Sequence, residues 1–142
     1  MADPYVRVVG DGQRLVDLPE LLERSDVVSL HCPLTDHTRG MMNASAISGM
    51  RDGAILINVA RGGLVVTADV LAALCSGKLS GAGLDTFESE PPDAAGLSGI
   101  PNLIATPHSG YYSVEAVNES KHKAATQIAK LFRGDPLDYR VN

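Results

Sequence analysis

The sequence predicts an α/β layered domain built on a parallel sheet, and three observations carry that expectation. Short apolar runs rich in β-prone residues recur along the chain: DVVSLHC (26–32), AILINVA (54–60), SGAGLD (80–85) and NLIATP (102–107). Helical patterns stand between these runs. The runs are continuously apolar rather than alternating, as in strands covered on both faces.

Taken in order, the first helix is expected over 17–24 (DLPELLER), with Asp17 as N-cap and Pro19 in its first turn. The second covers 43–50. The third covers 67–75, capped by Thr67 and stopped by Gly77. A long amphipathic stretch, 113–132, closes the chain and is stopped by Gly134 and Pro136. No internal repeat or low-complexity segment interrupts this order.

Composition bounds the function. The 142 residues suffice for one domain with a real core, and 44% of them are hydrophobic. A net charge of −5 without any Lys/Arg block argues against a nucleic-acid or anionic-membrane surface. Cys32 and Cys75 sit in apolar company and read as reduced core thiols of a cytoplasmic protein; their spacing suggests no metal site. No apolar run reaches the roughly 18 residues of a membrane span, and no secretory signal opens the sequence.

In open α/β sheets the ligand crevice lies at the carboxyl ends of the strands. The loops there carry, in order, 31–38, 59–63, 85–90 and 108–112. Arg61, Asp85, Glu90 and His108 therefore converge on one sheet edge. Arginine, carboxylate and histidine form a coherent set for redox work at a carbonyl. Histidine delivers a proton to a forming alkoxide near neutral pH. Glu90 is the candidate to orient the ring and favour its charged form, and Arg61 offers a planar fork to a carboxylate beside the carbonyl. Gly62 and Gly63 would let backbone approach a ligand closely.

Each of these residues also has a plainer reading. Arg61 alone is a strand-end ion-pair partner, Glu90 an exposed loop acid, and His108 a turn histidine bonded to backbone. His31 and Cys32 read as strand-end packing residues, His37 and His122 as solvated surface. Glu115, Glu119, Lys121 and Lys123 read as a solvated helix face.

Four ordered stretches, HCPLTDHTRGMMN, GAILINVARGGLV, GAGLDTFESEP and PNLIATPHSGYYS, resemble the D-isomer-specific 2-hydroxyacid dehydrogenases. The C-terminal-binding-protein corepressors share these motifs. The resemblance covers nearly the whole chain and implies a Rossmann-like, doubly wound parallel sheet that binds NAD. It makes Arg61 the substrate-binding arginine, Glu90 the acid paired with histidine, and His108 the acid/base. Asp85 matches the residue that holds the nicotinamide carboxamide. Cys32, Pro33, Leu34 and Thr38, then Val59, Ala60 and Arg61, then His108, Ser109 and Gly110, match the cofactor's flank. The opening ADPY resembles a strand end whose acid, here Asp3, takes the adenosine ribose hydroxyls and favours NAD over NADP. The resemblance further implies a small 2-oxo or 2-hydroxy acid as substrate and a homodimer.

The sequence departs from the family in one respect. Members carry a G-x-G-x-x-G turn before the ribose acid, preceded by a substrate lobe; here Gly10 and Gly12 follow Asp3 and no third glycine completes the pattern. Residues 1–142 are therefore expected to form a partial, incomplete NAD-binding domain, the C-terminal portion of a dehydrogenase, inactive alone and weak in NADH binding. The run 26–32 would then present an unpaired edge and drive self-association, unless residues 5–16 fold back over it. The alternative function is a non-catalytic, NAD-sensing or partner-binding module like the corepressors.

Overall fold

The computed structural model describes residues 1–3, 6, 10, 12 and 14–140. Pro4 and Tyr5 of the opening motif, and much of the 5–16 stretch considered as an edge cover, lie outside the described residues. The chain forms two compact units, Met1–His108 and Ser109–Asn142.

The first unit holds a four-stranded parallel sheet in the order β1 (Val27–Leu30), β2 (Ala54–Asn58), β3 (Leu79–Leu84), β4 (Leu103–Ala105). Helices α1 (Leu18–Arg24), α2 (Ala44–Ser48) and α3 (Thr67–Ser76) alternate with the strands, and a short α4 (Ala94–Leu97) precedes β4. All four strands and the three longer helices fall where the sequence places them. A 3-10 turn, Gly62–Leu64, and α4 were not expected; each is a single turn, too short to show a period. Among the described residues β1 pairs with β2 and with no second strand.

Register builds the core. Val28, Leu56 and Ala82 align across three strands, as do Leu30, Asn58 and Leu84, and all six are buried. Val28, Leu30, Leu56 and Ala82 pack with Leu22 of α1, Ile47 of α2 and Val70, Ala73 and Leu74 of α3 into one cluster. The alternating partners Val27, Ile55 and Ile57 point to the opposite face. This corrects the reading of continuously covered strands: burial alternates along β1 and β2, because α1–α3 all pack on one face of the sheet. The apolar residues on the other face made the runs look continuous.

Capping also differs from expectation at one helix. Asp17 caps α1 through the Glu20 amide at 2.9 Å, and Asn43 caps α2 through the Ser45 and Ala46 amides. Thr67, however, is the first residue of α3, and Val66 at its N-cap makes no side-chain bond. The cap comes from a distant loop: Glu88 Oε2 accepts from the Thr67 amide at 2.9 Å. Asp69 does the same for α2, accepting from the Ala44 amide at 2.7 Å. Gly77 ends α3 in the left-handed conformation, φ 78°. The cysteines are a second correction, for Cys32 is only partly buried and Cys75, on the outer side of α3, is exposed.

The second unit is α5 (Val114–Arg133), capped by Ser113 through the Ala116 amide at 3.0 Å and closed by Gly134 at φ 72°. Its final turn is tied to the following segment: Lys130 Nζ lies 2.6 Å from Asp138 Oδ1, and Gln127 exchanges two hydrogen bonds with Asp138.

Candidate active site

The turn after β2 is fixed by a buried carboxamide. Asn58 is fully buried, and its Nδ2 donates to the Arg61 carbonyl at 2.9 Å while its Oδ1 accepts from the Ala60 amide at 3.1 Å. A polar group placed in the core must satisfy its bonds, and Asn58 does so by spanning the Ala60–Arg61 bend. The Asn58 carbonyl also accepts from the Asp85 amide at 3.0 Å, which ties the end of β2 to the end of β3. Sequence reasoning missed Asn58; its signal is a lone polar residue at an inward position of an apolar strand.

Immediately beyond, the chain can turn only because residue 62 has no side chain. A Cβ on Gly62 would lie 2.0 Å from the Phe87 carbonyl carbon, far inside contact distance. The 61–63 turn therefore seats directly on the 85–90 loop. The glycine pair does allow close approach, as expected, but at Gly62 it is the protein's own backbone that approaches.

On that loop Glu90 Oε1 accepts from the Phe87 amide at 3.2 Å, and Oε2 lies 2.9 Å from His108 Nδ1. His108 follows β4 with a left-handed backbone, φ 53°, and its amide donates to the Thr106 carbonyl at 3.0 Å. The imidazole, first, and the Phe87 amide, second, hold the Glu90 carboxyl below its ordinary value of 4.5. With side chains 45% and 41% exposed, such a pair adds little to stability, so its alignment calls for another explanation.

Arg61, Glu90 and His108 all line one cleft of about 530 Å³, together with Leu34, Arg39, Gly63, Thr86, Phe87 and Glu88. The Arg61 guanidinium donates to the Ala60 carbonyl at 2.8 Å and forms no ion pair among the described residues. The ion-pair reading of Arg61 thus finds no partner there. The pairing expected between Glu90 and His108 is present.

A second hollow, of about 570 Å³, adjoins the cleft and shares Leu34 and Arg61 with it; His31, Cys32, Pro33, Val59 and Ala60 complete its lining. Six of the residues expected on the cofactor's flank therefore meet in one place. Thr38 lies outside this lining and closes the loop from within, its Oγ1 donating to the Pro33 carbonyl at 2.7 Å and accepting from the Thr35 amide at 2.8 Å. Asp85 is buried at the end of β3 and accepts from Thr106 Oγ1 at 2.5 Å. Asp3 accepts from the Val6 amide at 3.3 Å. Ser109 and Gly110 open the second unit, where the Ser109 carbonyl accepts from the Tyr112 amide at 2.8 Å. Among the described residues no group of His, Cys, Asp and Glu is arranged to hold a metal ion.

The family described as "D-isomer specific 2-hydroxyacid dehydrogenase, NAD binding domain" matches residues 1–110. The chain belongs to that family. It is 40% identical, over 99% of its length, to a D-3-phosphoglycerate dehydrogenase of Methanocaldococcus jannaschii, covering 28% of that protein. It is likewise 40% identical, over 88% of its length, to a hydroxypyruvate reductase of Blautia hydrogenotrophica, covering 39% of it. Among solved structures, a D-lactate dehydrogenase of Treponema pallidum superposes with a TM-score of 0.88 at 31% identity, over 99% of this chain and 47% of the other. The chain thus spans less than half the length of each of these relatives.

Proposed function

We propose that this 2-hydroxyacid dehydrogenase domain supplies the acid/base, substrate-binding and cofactor-flanking residues of an NAD-dependent reduction of 2-oxo acids to D-2-hydroxy acids. The observation that carries the reading is the 2.9 Å Glu90–His108 contact in a cleft that also holds Arg61. The family match and the hollow at the carboxyl ends of β1 and β2 support NAD as cofactor. That hollow brings together six of the residues given to the cofactor's flank and shares Leu34 and Arg61 with the cleft. When bound, the cofactor supplies a hydride to the carbonyl carbon.

The chain's own residues do the rest. Arg61 holds the substrate carboxylate by a bidentate fork, which fixes the neighbouring carbonyl in the cleft. Glu90 binds Nδ1 of His108, fixes the tautomer and turns Nε2 to the carbonyl oxygen. As the C=O π electrons move to oxygen, His108 gives that oxygen its proton and the product is an alcohol. In the reverse direction the neutral ring takes the proton back. From the resemblance, Asp85 holds the nicotinamide carboxamide and Asp3 the ribose hydroxyls, and Cys32, Pro33, Thr38, Val59, Ala60, Ser109 and Gly110 belong to the cofactor's flank. From the resemblance we also propose a cytoplasmic homodimer.

The test is NADH oxidation by the full-length gene product with pyruvate, glyoxylate and hydroxypyruvate. Turnover that collapses in His108→Gln supports the reading. NADH binding without turnover of any 2-oxo acid would replace it with the NAD-sensing alternative.

A further inference from the structure

We infer that the cleft selects 2-oxo acids bearing a second anionic group, a carboxylate or a phosphate ester, at the end remote from the reacting carbonyl, and that Arg39 binds that group. The inference rests on the dehydrogenase reading and adds the substrate class to it.

Two guanidiniums line the cleft, those of Arg39 and Arg61. Neither has a carboxylate within ion-pair distance among the described residues. The two acids that share the cleft are already engaged, Glu90 by His108 and the Phe87 amide, Glu88 by the Thr67 amide at the start of α3. A 2-oxo acid's own carboxylate occupies one planar fork. The other guanidinium, exposed like that of Arg61 and without an ion pair among the described residues, stands beside Leu34, Val66 and Phe87, where it can meet a second negative charge carried by the ligand.

The position of Arg39 is built rather than incidental. Its amide donates to the Thr35 carbonyl at 2.9 Å, and the residues after it are zipped to the Arg61 turn: Gly40 N to Gly63 O at 2.8 Å, Met42 N to Leu64 O at 3.0 Å. Residue 63 leaves the space the side chain uses. A Cβ there would sit 3.4 Å from Arg39 Nη1 and 2.9 Å from Leu34 Cδ2. The missing side chain at Gly63, two residues after Arg61, thus clears room for the Arg39 guanidinium.

The experiment compares kcat/KM of the full-length gene product for pyruvate, 2-oxoglutarate and phosphohydroxypyruvate, in the native protein and in Arg39→Gln, Arg39→Lys and Arg51→Gln. The native protein should favour at least one of the two doubly anionic acids, and which one identifies carboxylate or phosphate ester as the group read. Arg39→Gln should cut that preference about ten- to a hundred-fold, mainly through KM, the usual cost of losing a charge-assisted contact. Arg39→Lys should restore part of it. Arg51, whose partner is Asp26 at 3.4 Å and which lies outside the cleft lining, should leave the ratio alone when changed to Gln. A preference for pyruvate, or an Arg39→Gln ratio within about two-fold of native, would overturn the inference while leaving the dehydrogenase reading intact. Failure to reduce all three acids would overturn both.

Discussion

The two hollows on either side of Arg61 differ in how they hold their shape. The cleft is set by side chains that depend on one another: Glu90 on His108, Glu88 on the start of α3, Gly62 on the backbone of Phe87. The hollow lined by 31–34 and 59–61 is set by strand ends, and His31, Cys32 and the shared Arg61 are the ionisable side chains among its described lining residues. In the proposed function one region performs charge and proton chemistry and tolerates little change. The other presents surface and backbone, so substitutions there should alter cofactor affinity more than chemistry. Arg61 belongs to both, which is why a single arginine stands at the tip of β2.

Substitutions in the cleft put numbers on that contrast. The largest expected effect is His108→Gln in the full-length gene product, which removes the proton donor and should lower kcat about a hundred-fold or more; Val59→Ala in the adjoining hollow should instead move the KM for NADH with kcat nearly intact. Equal kcat losses in the two would erase the distinction. Next comes Gly62→Ala. Its methyl would meet the Phe87 backbone, and the strain should cost about 1–3 kcal/mol in denaturant unfolding, with activity lost alongside. Glu88→Ala should cost about 1 kcal/mol, the usual value of a helix cap, and lower Tm by a few degrees.

The smallest effect is a titration. Folding lowers the Glu90 pKa, so ionised Glu90 stabilises the fold at pH above its ordinary 4.5, and that contribution is lost as the pH falls through the lowered value. Following the Glu90 carboxyl by NMR should show its midpoint rise towards the ordinary value in His108→Gln. An unmoved midpoint would mean the imidazole is not what holds it down.

Much of this was legible in the sequence, and the gaps have physical causes. The four strands were readable because apolar β-prone runs are bounded by glycine, proline and polar residues. Asp17 was readable as a cap because a local side chain caps a helix within three residues. Glu88 was not, because it caps α3 from a loop 21 residues further along the chain, a relation that only the tertiary fold creates. Gly62 and Gly63 looked alike in sequence, yet one clears the path for backbone and the other for two side chains. Burial on both sheet faces was misread from Val27, Ile55 and Ile57, since composition reports what a residue prefers and not which side of a sheet it faces. Arg61, Glu90 and His108 converge as the strand-end rule implies, but Arg39 escaped notice because nothing in TDHTRG separates a cleft guanidinium from a solvated one.

The central claim is that Glu90 and His108 act as one device, the carboxylate working only through the imidazole. A double-mutant cycle on kcat/KM measures this directly. Glu90→Gln alone should lower activity, His108→Gln should lower it further, and adding Glu90→Gln to His108→Gln should cost almost nothing more. Losses that simply add would show that the two groups, 2.9 Å apart, act independently, and would contradict the account.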